Sequence, residues 1–361
     1  MAGDETYLHF AGYRDVSSPL VNRLAQSGLA LPALGFGAAS IGNLYRPVSD
    51  AEAEATVLAA LDAGMTYIDT APYYGFGLSE RRVGDVVRGR KDIVLSTKVG
   101  RLLRPDPSVG DDRERHGFCS PMPFAPHYDY SHDAIMRSVE DSFQRLGLAR
   151  IDLLYIHDIG HRTHGAANGQ HMDALVAGGG LRALEALREE GVISGFGIGV
   201  NELEACAEVM AHAQLDAILL AGRYTLLEQD ALDDMLPACL AAGTAVVIGG
   251  PYNSGILATG TRQAGPVHYD YGVAPAHVVE KVARIEALCR DHDIPLAAAA
   301  LQFPLAHPAV ASVIPGLGSV ARVQQTQALA TQAIPGDFWA QLRAEGLVRP
   351  DAPLPGLPTP C

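Results

Sequence analysis

Short runs of consecutive apolar residues recur along the chain, each followed by a longer stretch whose apolar positions return every three or four residues. Eight runs stand out, at 32–38, 66–71, 92–99, 151–158, 194–200, 216–222, 244–250 and 310–316. Runs this short and this uniformly apolar predict strands buried on both faces, as in a parallel sheet. The stretches between them read as helices. Residues 51–64 form an alanine-rich helix with Ser49 and Asp50 in front as capping residues and Gly64 just past its end. Further helices are predicted over 79–89, 131–147, 173–191, 201–213, 230–243, 275–292, 295–305 and 319–330.

Eight strand–helix repeats close most economically into an α/β fold of the (β/α)8 TIM barrel type. An open doubly wound sheet would need a phosphate-binding GxGxxG after an early strand. GFGAAS at 35–40 supplies only the first two glycines and is not followed by a helix. The expectation is one barrel domain over 1–361, with its core at about 31–331 and an irregular, proline-rich tail at 350–361. Two long loops follow the third and seventh strands, at 100–131 and 250–275. In a barrel both lie on the C-terminal face of the strands, where catalysis sits.

Charge narrows the partners. With 27 Lys+Arg against 41 Asp+Glu the net charge is −14, which disfavours nucleic acid and anionic membrane surfaces. No apolar run approaches the ~20 residues needed to span a bilayer. Five scattered cysteines without a CxxC, and an N-terminus without an apolar signal segment, point to reduced thiols and a cytoplasmic location. Three histidines in HDIGHRTHG, at 157–165, lack a carboxylate or cysteine framework and read as a polar loop, so no metal is expected. The remaining partner class is a small molecule, with a homo-oligomer left open.

Polar residues at the C-terminal ends of barrel strands aim at one pocket. Asp69 ends the second strand, Lys98 the third, His157 the fourth and Asn201 the fifth, and Tyr74 lies five residues after Asp69. A tyrosine titrates near 10 and exchanges protons at neutral pH only with help. A nearby ammonium lowers its pKa, and a carboxylate keeps that ammonium charged and oriented. A histidine beside the same oxygen can orient a carbonyl or alcohol. Such a set moves a proton at an oxygen while a hydride moves at the attached carbon. None of these residues can carry a hydride, which implies a nicotinamide cofactor.

The segments YIDTAPYYGFGLSE, LSTKVG and DLLYIHD resemble three signature blocks of the aldo-keto reductase superfamily, and the likeness runs from about Leu31 to Leu329. The resemblance implies Tyr74 as general acid/base, Lys98 and Asp69 as the pair that tunes it, and His157 as the group that orients substrate. For the cofactor, NADP or NAD, it implies Asn201 at the carboxamide, and Gly249, Tyr252, Gly255 and Leu257 after the seventh strand. VIPGLGSVARVQQT resembles the family's adenosine-phosphate segment, implying Pro315, Gly316, Gly318, Ser319, Arg322 and Gln325. A helix N-terminus there offers N–H groups and a favourable dipole to phosphate. Four positions depart from the family pattern: Val200 replaces a serine, Ala221 a glutamine, Gly249 the tyrosine that stacks on the nicotinamide, and Gly316 a lysine common in NADP-preferring members.

GIGVNE, AGRYTLLEQ and GGPYNSGIL resemble the subgroup of L-fucose, L-galactose and other threo-aldose dehydrogenases, along with bacterial pyridoxal dehydrogenases. The implied reaction oxidises the anomeric hydroxyl of an aldose to a lactone. The alternatives are pyridoxal oxidation, an aldehyde or ketone reductase, and a non-catalytic cofactor-sensing relative, for which a Tyr74–Lys98 pair would have no use. Within the 100–131 loop, Arg101, Arg104, His116 and His127 are polar candidates, and Phe118, Tyr128 and Tyr130 are the aromatic candidates for lining a substrate pocket.

Overall fold

The structure, a computed structural model, describes residues 21–262 and 265–358. Eight parallel strands lie side by side in chain order. They are β1 (Phe36–Gly37), β2 (Tyr67–Asp69), β3 (Val94–Val99), β4 (Leu153–His157), β5 (Gly195–Val200), β6 (Ala217–Ala221), β7 (Ala245–Gly249) and β8 (Val310–Ile314). The ring closes where Gly35 N–H donates to the Val313 carbonyl and Gly37 N–H to the Pro315 carbonyl, both at 3.0 Å. Parallel bridges Leu34–Val313 and Gly37–Gly316 mark the same seam. A Cβ on Gly37 would lie 3.0 Å from the carbonyl oxygens of Ile314 and Pro315, so a glycine permits this approach. The expected (β/α)8 barrel is the observed one.

Helices α1 (Asp50–Asp62), α2 (Leu78–Val87), α3 (His132–Leu146), α4 (Gly180–Glu189), α5 (Leu203–Met210), α6 (Met235–Ala242), α7 (Ala276–Asp291) and α8 (Val320–Thr331) surround the strands. Ser49 caps α1 by accepting from Glu52 N–H at 3.2 Å. One apolar layer fills the space between strands and helices. A smaller one fills the barrel, built from Tyr67, Leu153, Tyr155, Leu219 and Val247 with their neighbours. An antiparallel hairpin, Val21–Arg23 with Ala30–Pro32, adds Leu24 and Leu31 to that inner cluster, and Asn22 Nδ2 donates to the Ala311 carbonyl at 2.7 Å. The N-terminal mouth is thereby plugged, leaving chemistry to the other end.

Several expectations change. The helix expected over 173–191 is two helices, Asn168–Val176 and α4, broken at the glycine run where Gly179 has φ +85°. A Cβ on Gly180 would overlap the Tyr130 carbonyl, so this break lets the loop before α3 pass close by. The long loops are partly ordered as antiparallel hairpins, Arg101–Pro105 with Phe124–Tyr128 and His268–Tyr269 with Gly272–Val273. Beyond the expected end of the core, helix Gly336–Ala344 buries Phe338 and Trp339, and the described part of the tail, 350–358, packs down with Ala352 and Leu354 buried. No described helix is long and apolar enough to cross a membrane.

The α2–α3 contact has no spare room. Fully buried Glu80 of α2 accepts from Thr97 of β3 at 2.6 Å and from Arg145 of α3 at 2.5 Å. On the same helix a Cβ at Gly84 would overlap the Leu146 carbonyl of α3. Alanine in place of helical glycine ordinarily gains about 1 kcal/mol, but here it must push two helices apart. Gly84→Ala is expected to lose about 1–3 kcal/mol net in urea unfolding. A gain would show that the close approach is not a constraint.

Candidate active site

Side chains alternate across a strand, so Tyr67 and Asp69 share the inward face of β2, as do Ser96 and Lys98 on β3 and Tyr155 and His157 on β4. The register sets Asp69 opposite Ser96, Lys98 opposite Tyr155, and His157 opposite Gly199. Two layers result. The lower is a hydroxyl chain, with Tyr67 OH 3.0 Å from Tyr155 OH and 3.1 Å from Ser96 Oγ. The upper holds the charges. Lys98 Nζ lies 2.6 Å from Asp69 Oδ2 and donates to the Thr70 carbonyl at 2.8 Å, while Ser96 Oγ donates to Asp69 Oδ1 at 2.7 Å. Asp69 and Lys98 are each 2% exposed.

Tyr74 reaches this pair from the loop between β2 and α2. Gly75 there has φ +64°, and a Cβ on it would overlap the Gly42 carbonyl, so the loop sits directly against the β1–α1 connection. Lys98 Nζ stands 4.6 Å from the centre of the Tyr74 ring. The Tyr74 and His157 rings meet edge to face with centres 6.1 Å apart. The four tetrad residues therefore converge.

Burial and charge set their protonation. Burial opposes the Lys98 charge, but Asp69 and Tyr74 outweigh it and its pKa lies above the ordinary value. Burial also raises Asp69, more than Lys98 and Ser96 lower it. His157 is held well below the usual imidazole range by burial and by the positive charges of Lys98 and Arg101, so it is neutral at neutral pH. For Tyr74 the expected lowering is reversed. Lys98 does pull its pKa down, but burial is the larger effect and the phenol lies above its ordinary value.

A cavity of about 850 Å³ runs from Asp69 and Tyr74 to the first turn of α8. Gly249, Tyr252, Gly255, Gly316, Gly318, Ser319, Arg322 and Gln325 line it. Its shape and donors fit a dinucleotide. Ser319 caps α8 by accepting from Arg322 N–H, and Arg322 is exposed beside it. The walls at Gly316 and Gly318 are bare backbone, where a Cβ would sit 3.1 Å from Ser40. At the other end Gly249 lines the cavity, and a Cβ added there would sit 3.2 Å from Leu219. His157 Nδ1, buried without a hydrogen-bond partner among the described residues, adds an unmet polar group at the tetrad.

Leu257, Pro315 and Asn201 are not in the cavity lining. Leu257 is fully buried, the Pro315 carbonyl serves barrel closure, and the Asn201 carbonyl accepts from Arg223 Nε at 2.6 Å. Burial pushes the Tyr252 phenol up to about 12, against the smaller pull of the Arg322 charge. Phe118 is buried against Tyr73 and Tyr74, with ring centres 5.3 and 6.4 Å apart. Tyr130 is not a lining residue: it is fully buried, stacks on Tyr128, and donates its hydroxyl to the His157 carbonyl at 2.7 Å. The sequence pattern did not point to Ser96, Asp158 or Arg46, the last of which lines the cavity and donates to the Gly318 carbonyl. Ser96 was open to detection, because it alternates with Lys98 on the inward face.

These features define an oxidoreductase barrel, and the comparisons agree. Residues 33–345 match the Aldo/keto reductase family, and the chain belongs to it. It is 44% identical over 333 residues to a pyridoxal 4-dehydrogenase from Microbacterium luteolum, covering 90% of this chain and 97% of that one. It is 43% identical over 329 residues to a D-threo-aldose 1-dehydrogenase from a Pseudomonas species, with the same coverage of 90% and 97%. An aldo-keto reductase from Bacillus halodurans, solved in its holo form, superimposes with a TM-score of 0.68 at 27% identity, covering 91% of this chain and 96% of that one.

The buried pair yields a thermodynamic test. Removing one partner strands the other's charge in the barrel, at a cost of about 3–5 kcal/mol. Lys98→Met is expected to lose that much in chemical unfolding, and adding Asp69→Asn to recover a good part of it. Additive losses in the double variant would mean that the two side chains are not coupled.

Proposed function

We propose that the protein is an NAD(P)-dependent aldose 1-dehydrogenase, oxidising the anomeric hydroxyl of an L-fucose or D-threo-type aldose to the lactone. The observation that carries this reading is the Lys98 ammonium, fixed by Asp69, standing against the Tyr74 ring beside a neutral His157 at the mouth of the cavity. The nicotinamide supplies the hydride acceptor for the sugar carbon. NADP and NAD both suit the cavity, whose far end offers the α8 N-terminus and Arg322.

Tyr74 takes the hydroxyl proton, and Lys98 stabilises the phenolate this requires. A neutral His157 can hydrogen-bond the reacting oxygen without bringing a second positive charge. In the reverse direction the protonated Tyr74 is the donor to a carbonyl, so the same site serves aldehyde reduction. A second reading, pyridoxal oxidation, is favoured by the 44% identity to the pyridoxal 4-dehydrogenase. The buried, unpaired thiols of Cys206, Cys239 and Cys289 support a reducing, cytoplasmic location.

Initial rates on L-fucose, L-galactose, D-arabinose and pyridoxal, each with NAD and NADP, test the assignment. Turnover of at least one aldose is expected, and turnover of pyridoxal alone would establish the second reading instead. Tyr74→Phe should lower kcat by about 10²–10⁴, and full turnover in that variant would remove Tyr74 from the mechanism. The raised phenol pKa gives a sign to the pH dependence. Only the deprotonated phenol accepts a proton, so oxidation should keep accelerating through the alkaline range. Carbonyl reduction should stay flat over neutral pH, and an oxidation rate that levels off near neutrality would contradict this role.

A further inference from the structure

The tetrad does not account for a second ion pair beside it. Asp158 stands one residue beyond His157 with φ +51°, a left-handed backbone that non-glycine residues adopt at a cost. Its N–H donates to the Gly199 carbonyl of β5 at 2.9 Å, which holds the turn. The turn brings the carboxylate back over the barrel mouth. Asp158 Oδ2 lies 2.8 Å from Arg101 Nη1 and 3.4 Å from His157 Nε2. Both contacts fall on one oxygen, and the side chain remains 27% exposed.

Arg101 is held as firmly. It starts the hairpin after β3, its guanidinium carbon is 3.1 Å from the centre of the Tyr73 ring, and only 11% of its side chain is exposed. Its Nε is buried without a hydrogen-bond partner among the described residues. The pair thus presents a fixed acceptor, Asp158 Oδ1, next to a fixed cation. It sits close enough to the tetrad for the Asp158 charge to act on Tyr74. Proton transfer by Tyr74 uses neither group.

We propose that Asp158, positioned by Arg101, is a specificity residue that accepts a hydrogen bond from a substrate hydroxyl on the carbon next to the reacting one. The geometry names that hydroxyl. On the aldose reading His157 Nε2 meets the reacting oxygen, and Asp158 Oδ2 lies 3.4 Å from that nitrogen. The hydroxyl on the neighbouring carbon is the nearest one a sugar can donate from at that spot, because the ring oxygen on the reacting carbon carries no proton. Plain aldehydes have none there. The ligand class is accordingly a 2-hydroxy aldose, which rests on the reading of the protein as an aldose dehydrogenase.

The probe pair is D-arabinose and 2-deoxy-D-ribose, the same sugar without its 2-hydroxyl. One hydrogen bond to a charged acceptor corresponds to a preference of about tenfold to a hundredfold in kcat/KM for D-arabinose in the wild-type protein. Asp158→Leu is expected to erase the preference, mainly by raising KM for D-arabinose. Asp158→Asn keeps the shape without the charge and should retain part of it. Equal proportional losses on both sugars in both variants would reduce Asp158 to a structural role and overturn the proposal. So would a wild-type enzyme that oxidises both sugars equally well, with the aldose reading intact. A wild-type enzyme that oxidises no aldose would overturn that reading and this one together.

Discussion

The arrangement of the active face depends on one buried ion pair. Asp69 and Lys98 are removed from water on adjacent strands, and burying two charges costs several kcal/mol each unless every lone pair and proton is used. The barrel register supplies partners to both charges and so meets much of that demand. Ser96 and Thr70 complete the shell around the pair, with one oxygen of Asp69 for Ser96 and the other for Lys98. Since β2 and β3 are locked in register by their own backbone bonds, the ammonium has no freedom to follow another partner. A fixed positive charge is then available to whatever sits above it, and the β2–α2 loop places Tyr74 there.

That loop and its neighbours divide the work at the mouth of the barrel. Close approach of Gly75 to Gly42 pins the Tyr74 backbone to the β1–α1 connection. Tyr130, from the segment before α3, supports His157 through its backbone carbonyl. Arg101 and Asp158 pair beside His157, while the cavity runs from Tyr74 toward α8. The acidic surface does not conflict with an anionic cofactor, because the groups offered to phosphate are a helix N-terminus and a local arginine. Net charge governs what the whole surface attracts, and a single cleft is set by its own donors.

All eight strands were legible because each is buried on both faces, which leaves a short, largely apolar run. The tetrad was legible because strand ends are defined by those runs, so Asp69, Lys98 and His157 fell at equivalent positions on consecutive strands. Whatever depends on side-chain direction or on competing energies was not. The reversal at Tyr74 needed the depth of burial, which no local pattern carries. Tyr130 read as a pocket aromatic because composition cannot tell a ring facing a cleft from one packed behind it. Asp158 escaped notice because its role comes from a left-handed turn and from Arg101, 57 positions away in the chain. The glycine run at 178–180 was absorbed into one helix, although a break there is what glycine permits.

The most direct test of the buried pair reads the Lys98 proton itself. The chain contains three lysines, Lys91, Lys98 and Lys281, so a lysine-selective ¹³C spectrum of the full protein resolves few ε-carbons, assignable by substitution. As pH rises, Lys281, which burial pushes below the ordinary lysine value, should titrate first, and Lys98 should hold its proton beyond the ordinary value. In Asp69→Asn the Lys98 transition should move down, since burial then acts without its counter-charge. A Lys98 resonance that titrates at or below the ordinary value in the wild-type protein, or that ignores the loss of Asp69, would contradict the account.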